Sequence, residues 1–304
     1  MILTRQFPLT HGITLSCRSA GEAGRPVLMF LHGFPEAAFV WDGLLEHFSH
    51  PDNGAYFCIA PNLRGFENSS APPEPAAYRA KHLVQDIAAL ITQVAPNGQL
   101  AALIAHDWGG AVAWSVAATQ PQLMNKLVII NSPHPGTFLR ELQQSPAQQA
   151  ASAYMNFLIR PDAETLLAED DFRRLWQFLT NGTDPQAGVP GWLTDEVRDQ
   201  YRAVWRAGLT GGCNLYRASP LRPARPGDPA ADAVTLPPEL LRVELPTLVL
   251  WAMDDIALPP ALIAGLESYV PDLQLEKIAG ASHWIVHEQP ALIARKLQDF
   301  LSPA

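Results

Sequence analysis

Short, continuously apolar runs alternate along this chain with stretches whose apolar residues recur at helical spacing. Gly12–Arg18 reads as an opening strand. Pro26–Leu31 is a second run and ends in His32-Gly33-Phe34-Pro35. Ala55–Ala60 ends in Pro61-Asn62-Leu63-Arg64-Gly65, and Leu100–Ala105 and Lys126–Ile130 follow. Between them Ala37–Phe48, Tyr78–Val94 and Trp108–Gln120 carry helical patterns. Buried strands separated by amphipathic helices predict an α/β architecture with a mostly parallel, doubly wound sheet. Such sheets bind ligands beyond the C-terminal ends of their strands.

The rhythm changes after Pro135. Gly136–Arg217 is helical in pattern, rich in Trp, Tyr, Leu and Gln, with no strand-like run. Ser219–Pro238 then holds six prolines and reads as a stiff surface loop. Alternation resumes with Pro246–Trp251 as a strand, Pro259–Tyr269 as a helix, Leu273–Ile278 as a strand and Pro290–Leu301 as a final helix. The economical division is a core of 1–136 plus 240–304 with a helical lid inserted at 137–239. A lid over the strand ends would shape a pocket and exclude water.

Composition changes this picture little. The chain has 304 residues, 48% apolar and 17% charged, with a net charge of −9. Without a basic cluster, nucleic acid is not an expected partner. No stretch of 18 apolar residues occurs, so no membrane span is expected. Met1–His11 does not read as a secretion signal. Cys17, Cys58 and Cys213 are odd in number and far apart, as expected of buried thiols in a reducing cytoplasm.

The chemistry centres on His106-Asp107-Trp108-Gly109-Gly110, between a strand and a helix. A tight strand–turn–helix junction flanked by small residues, here Ala105 and Gly109, lifts one side chain above the sheet edge. The raised residue is Asp107. Asp is also a common helix N-cap, which is the competing structural use. A carboxylate attacks sp³ carbon well, which points to alkyl rather than acyl transfer. His283, after the last strand, is the candidate base. Asp254 and Asp255, at the end of the preceding strand, are the candidate acids that orient it. Asn131, at the end of Lys126–Ile130, is neutral and cannot serve as that acid. His283 and His287 share i, i+4 spacing, but no third ligand is near, so a metal site is not expected.

At this point the chain resembles the epoxide hydrolases of the α/β-hydrolase superfamily over nearly its whole length. The motifs are His32-Gly33-Phe34-Pro35, Arg64-Gly65-Phe66, His106-Asp107-Trp108-Gly109-Gly110, Asn131-Ser132-Pro133-His134-Pro135, Trp251-Ala252-Met253-Asp254-Asp255 and Gly280-Ala281-Ser282-His283-Trp284. The resemblance implies the α/β-hydrolase fold and the triad order nucleophile, acid, His, and it selects Asp255 over Asp254. Ala252 stands where the family usually has Gly, and Glu67-Asn68-Ser69-Ser70 departs from the usual continuation of the Arg64 turn.

The resemblance also implies two lid tyrosines that donate to the epoxide oxygen. They match Tyr154, in a helix shortly before Pro161, and Tyr216, in Asn214-Leu215-Tyr216-Arg217. Phenol suits that task, because it stays protonated at neutral pH and can neutralise a leaving alkoxide. The implied reaction turns a small apolar epoxide and water into a diol through an ester on Asp107. The backbone N–H groups of Phe34 and Trp108 would form the oxyanion hole. The pocket is expected to be lined by Phe34, Pro35, Trp108, Met155, Phe157, Leu158 and Trp284, with Phe34-Pro35 a candidate cis peptide. No cofactor or metal is required, and a monomer or homodimer is expected. The alternatives are a haloalkane or haloacid dehalogenase using the same Asp, and, more distantly, a non-catalytic member of the fold. Phe34 stands where a haloalkane dehalogenase has a second halide donor.

Overall fold

In the computed structural model, which describes residues 1–182 and 189–302, five strands have every residue buried. They are β3 (Val27–Leu31), β4 (Phe57–Pro61), β5 (Ala102–His106), β6 (Leu127–Ile130) and β7 (Thr247–Ala252). Strands covered on both faces need apolar side chains at every position, which is why they read as continuous apolar runs. With β1 (Leu3–Pro8), β2 (Thr14–Ala20) and β8 (Leu273–Ile278) they form one eight-stranded sheet in the order β1-β2-β4-β3-β5-β6-β7-β8. The β1–β2 and β2–β4 pairs are antiparallel and the rest parallel. The first strand, β1, is a mostly exposed edge strand, Leu-Thr-Arg-Gln-Phe-Pro, with no apolar run to announce it in the sequence.

Alternate residues of each strand feed opposite layers. Met29, Leu31, Leu103 and Ile129 join one apolar cluster, and Leu28, Phe30, Ile104 and Val128 the other. Helices α1 (Asp42–Ser49), α2 (Ala80–Val94) and α3 (Asp107–Thr119) connect the strands of the first part. Between β6 and β7 run α4 (Pro135–Gln144), α5 (Pro146–Ala151), α6 (Tyr154–Leu158), α7 (Ala163–Leu179), α8 (Asp195–Ala207) and α9 (Thr210–Ala218). No sheet strand occurs there among the described residues. The backbone of α7 leaves helical geometry at Glu169–Phe172. The chain closes with α10 (Ile285–Glu288) and α11 (Pro290–Leu301).

The helix expected over Pro259–Tyr269 is instead two 3₁₀ turns, Pro260–Ile263 and Leu266–Ser268, separated by Gly265 at φ 78°. A left-handed residue cannot continue a right-handed helix, so the apolar spacing is used by two separate turns.

Candidate active site

The C-terminal ends of β3, β5, β6 and β7, with the loop after β8, carry the core-side groups. β5 ends at His106 and α3 begins at Asp107, whose φ of 49° is left-handed. Such a conformation costs a non-glycine residue about 1–3 kcal/mol and needs support. The Asp107 carbonyl accepts a 2.7 Å bond from the Ser132 hydroxyl, and its carboxylate Oδ1 accepts a 2.7 Å bond from the Phe34 N–H. The carboxylate is therefore used across the site and is not a helix cap. Gly33 permits this approach: a Cβ there would lie 2.3 Å from both Cβ and Oδ1 of Asp107. The Phe34-Pro35 peptide is cis.

His283 Nε2 lies 3.6 Å from Asp107 Oδ2, and its Nδ1 lies 2.6 Å from Asp255 Oδ2. Asp255, 4% exposed, also accepts from the Ala257 and Leu258 N–H groups at 2.8 and 2.9 Å and from Asn131 Nδ2 at 2.8 Å. Asp254, its neighbour, is exposed. Burial pushes the Asp255 carboxyl up, but His283 and these donors outweigh it and hold it below the usual carboxylate range. Burial likewise pushes the His283 imidazole down, yet the charge and hydrogen bond of Asp255, with the charge of Asp107, raise it to about 9.

Asn131 does not supply the acid. It supplies a donor to it, while its Oδ1 accepts from the Ala252 N–H at 2.8 Å. That tie links the ends of β6 and β7. The sequence signal was Asn131 itself, at a strand end beside the acid-bearing strand.

Opposite the carboxylate stand Tyr154 on α6 and Tyr216 on α9, ring centroids 6.1 Å apart. Tyr216 meets the edges of Phe34 at 5.4 Å and Trp108 at 5.0 Å, and Tyr154 meets Phe178 at 5.6 Å. Burial, reinforced by nearby negative charge from Asp107, pushes both phenols well above their ordinary value, so both keep their protons at neutral pH. A cavity of about 480 Å³ is lined by both tyrosines, Asp107 and His283, together with Phe34, Phe157, Phe178 and Trp284.

Among the described residues, four residues expected in the lining stand elsewhere. Met155 and Leu158 are buried on the other side of α6, because Tyr154 and Phe157, at i and i+3, take the cavity face. Pro35 is buried and its carbonyl accepts from the Trp205 indole at 2.7 Å. Trp108 turns its ring against Tyr216.

Behind His283 lies a network that the sequence did not announce. His106 Nε2 bonds the His283 carbonyl at 2.9 Å, and its Nδ1 lies 3.3 Å from the fully buried Glu36. Glu36 Oε1 also meets His287 Nε2 at 2.6 Å and the Tyr201 hydroxyl of α8 at 2.7 Å. Burial pushes Glu36 up, but the two histidines hold its carboxyl well below the usual range. His287 is thus committed to a carboxylate and a phenol. Among the described residues no group of three or more His, Cys, Asp or Glu side chains is placed to hold a metal. None of the described helices is long and apolar enough to cross a membrane.

Residues 26–290 match the family described as the alpha/beta hydrolase fold. The chain belongs to the α/β-hydrolase fold family. Within that family it is 34% identical over 303 residues to AB hydrolase superfamily protein YfhM of Bacillus subtilis, covering 97% of each chain. It is 31% identical to Epoxide hydrolase 3 of Xenopus tropicalis, covering 95% of this chain and 75% of that protein. Among solved structures it resembles an epoxide hydrolase from metagenomes of hot environments, with 34% identity, a TM-score of 0.86 and full coverage of both chains. The hydrolase fold here therefore sits among proteins named epoxide hydrolases.

Proposed function

We propose that this hydrolase converts an apolar epoxide and water into a vicinal diol through an ester on Asp107. The supporting observation is one cavity lined by a carboxylate, an imidazole and two protonated phenols. In the first step an Asp107 oxygen bonds to an epoxide carbon and the C–O bond of the ring breaks. The departing oxygen receives a hydrogen bond and then a proton from the Tyr154 and Tyr216 pair, leaving a hydroxyalkyl ester. In the second step His283 takes a proton from water as the hydroxide attacks the ester carbonyl. The tetrahedral oxyanion is held by the N–H groups of Phe34 and Trp108. Collapse breaks the acyl–oxygen bond, and the departing diol oxygen takes the proton left on the Asp107 carboxyl, so Asp107 returns as the carboxylate and His283 as the imidazolium. Residues 137–239 serve as the cap that carries both tyrosines, over a core of 1–136 and 240–304. Chemistry of this kind needs no cofactor.

The high pKa of His283 fits the two steps. In the resting site the imidazolium faces Asp107. Esterification removes that negative charge, one of the influences raising the imidazole, so the pKa falls; the imidazolium gives up its proton, which replaces the one the phenol lost to the ring oxygen, and neutral His283 is free to act as the base.

The test is diol formation from a styrene-type epoxide. Asp107→Ala, with unchanged circular dichroism and melting, is expected to form none. Diol formation by that folded variant would overturn the assignment.

A further inference from the structure

Helix α9 meets the core through backbone rather than side chains. A Cβ at Gly211 would lie 2.2 Å from the Gly65 Cα and 2.3 Å from its carbonyl oxygen; a Cβ at Gly65 would lie 2.5 Å from the Gly211 Cα. No side-chain movement can relieve such contacts. Asn214, one turn on from Gly211 and fully buried, donates to the Pro73 carbonyl at 3.0 Å, in the same core loop. The adjacent face of the helix carries Gly212 and, four residues on, Tyr216. The ring of Phe34 lies so close beneath Gly212 that a Cβ there would be 2.8 Å away. The N–H of that same Phe34 holds Asp107. At the far end Arg217 bonds Glu164 of α7 at 2.5 and 2.8 Å and the Arg160 carbonyl at 2.5 Å, just beyond the helix that carries Tyr154.

We propose that the Gly65–Gly211 contact sets the height of the Tyr216 hydroxyl over Asp107, which makes both glycines positioning residues for ring opening. This rests on the acid role given to Tyr216 above. Ordinary contact for a Cβ begins at 3.4 Å. A methyl group at 211 therefore lifts α9 by about 1 Å, and misplacement of that size costs up to about 100-fold in a reaction that depends on alignment. Ester hydrolysis depends on groups carried by the strand-end loops and escapes this cost.

The experiment is a double-substitution cycle read by rapid mixing of enzyme and epoxide. Gly211→Ala is expected to slow ester formation roughly 10- to 100-fold and leave ester hydrolysis within about threefold. Added to Tyr216→Phe, it is expected to cost less than about threefold more, since no hydroxyl remains to be misplaced. Asn214→Ala, which removes the hydrogen bond to the Pro73 carbonyl without adding volume, is expected to behave alike with a smaller loss, and carries the cycle if Gly211→Ala does not fold. Folded single variants that form ester at the parental rate would overturn the proposal. So would an equal loss in the Tyr216→Phe background, which would mean that the seat acts elsewhere. A full rate of ester formation in Tyr216→Phe alone is a different result: it removes the acid role, and the positioning role falls with it.

Discussion

The two halves of the site are built differently. The His283 half is wired. Asp255 receives two backbone N–H groups, an Asn131 amide and the imidazole, and His106 holds the His283 carbonyl. All of these come from strand ends or the loops just beyond them. The tyrosine half is packed. Tyr154 and Tyr216 sit on α6 and α9 among aromatic edges, and their placement depends on how helices rest on the core. A wired half tolerates the loss of one bond when others remain. A packed half loses alignment as a whole when a helix shifts. In the proposed mechanism the two halves serve different steps, the tyrosines ester formation and the histidine ester hydrolysis.

The contrast breaks most visibly if both phenols are removed. Tyr154→Phe with Tyr216→Phe keeps each ring and deletes only the donors. Ester formation is expected to slow by about 10²–10⁴, the range of general-acid catalysis, with ester hydrolysis nearly unchanged. Stopped-flow measurement of the two phases checks this. A halide leaves without a proton, so a dehalogenase would keep its rate, and full turnover of an epoxide would reduce these tyrosines to packing.

On the other side, Asp255→Asn removes the charge that orients and raises His283. Ester hydrolysis is expected to fall roughly 100-fold with ester formation much less affected, so the ester should accumulate during steady turnover. Asn131→Ala sharpens the idea of a wired half. It deletes one of several donors to Asp255, so hydrolysis is expected to fall by only about tenfold, the scale of one hydrogen bond to a charged group. A loss as large as that of Asp255→Asn would mean that the wiring has no redundancy.

The pH dependence gives a smaller and more specific signal. Below its pKa the imidazole already carries a proton and cannot take one from water. Ester hydrolysis is therefore expected to rise with pH and level off. The resting value of about 9 includes the charge of Asp107, which the ester lacks. The midpoint for ester decay should thus lie below 9, in single-turnover measurements across pH. A midpoint above 9 would contradict the coupling.

Legibility in the sequence followed the same division. Buried strands announce themselves as apolar runs; Asp107 directly follows one of them, β5, and His283 lies in the loop after β8, so these two members of the wired half could be located from residues alone. Choosing Asp255 over Asp254 needed the family likeness; the exposure of one and burial of the other follow only from the folded chain. The tyrosines likewise came from likeness, because nothing in a helical segment tells a cavity tyrosine from a buried one. Met155 and Leu158 face away from the cavity, which apolar character alone does not reveal, because composition cannot say which face of a short helix looks inward. Glu36, His106, Tyr201 and His287 were invisible as a group: Glu36 is 70 residues from His106, 165 from Tyr201 and 251 from His287. The edge strand β1 and the break at Gly265 leave no trace in the sequence pattern, since one has no apolar run and the other keeps helical spacing across a left-handed residue.

The central claim is that Asp107 becomes covalently attached to substrate and that His283 acts only afterwards. Mass spectrometry of intact His283→Gln protein after mixing with a styrene-type epoxide tests both parts together. The expected result is a species heavier by one substrate, mapping to the peptide that contains Asp107, formed rapidly and decaying very slowly. Unmodified protein, under conditions where binding of the epoxide is demonstrated, would contradict it.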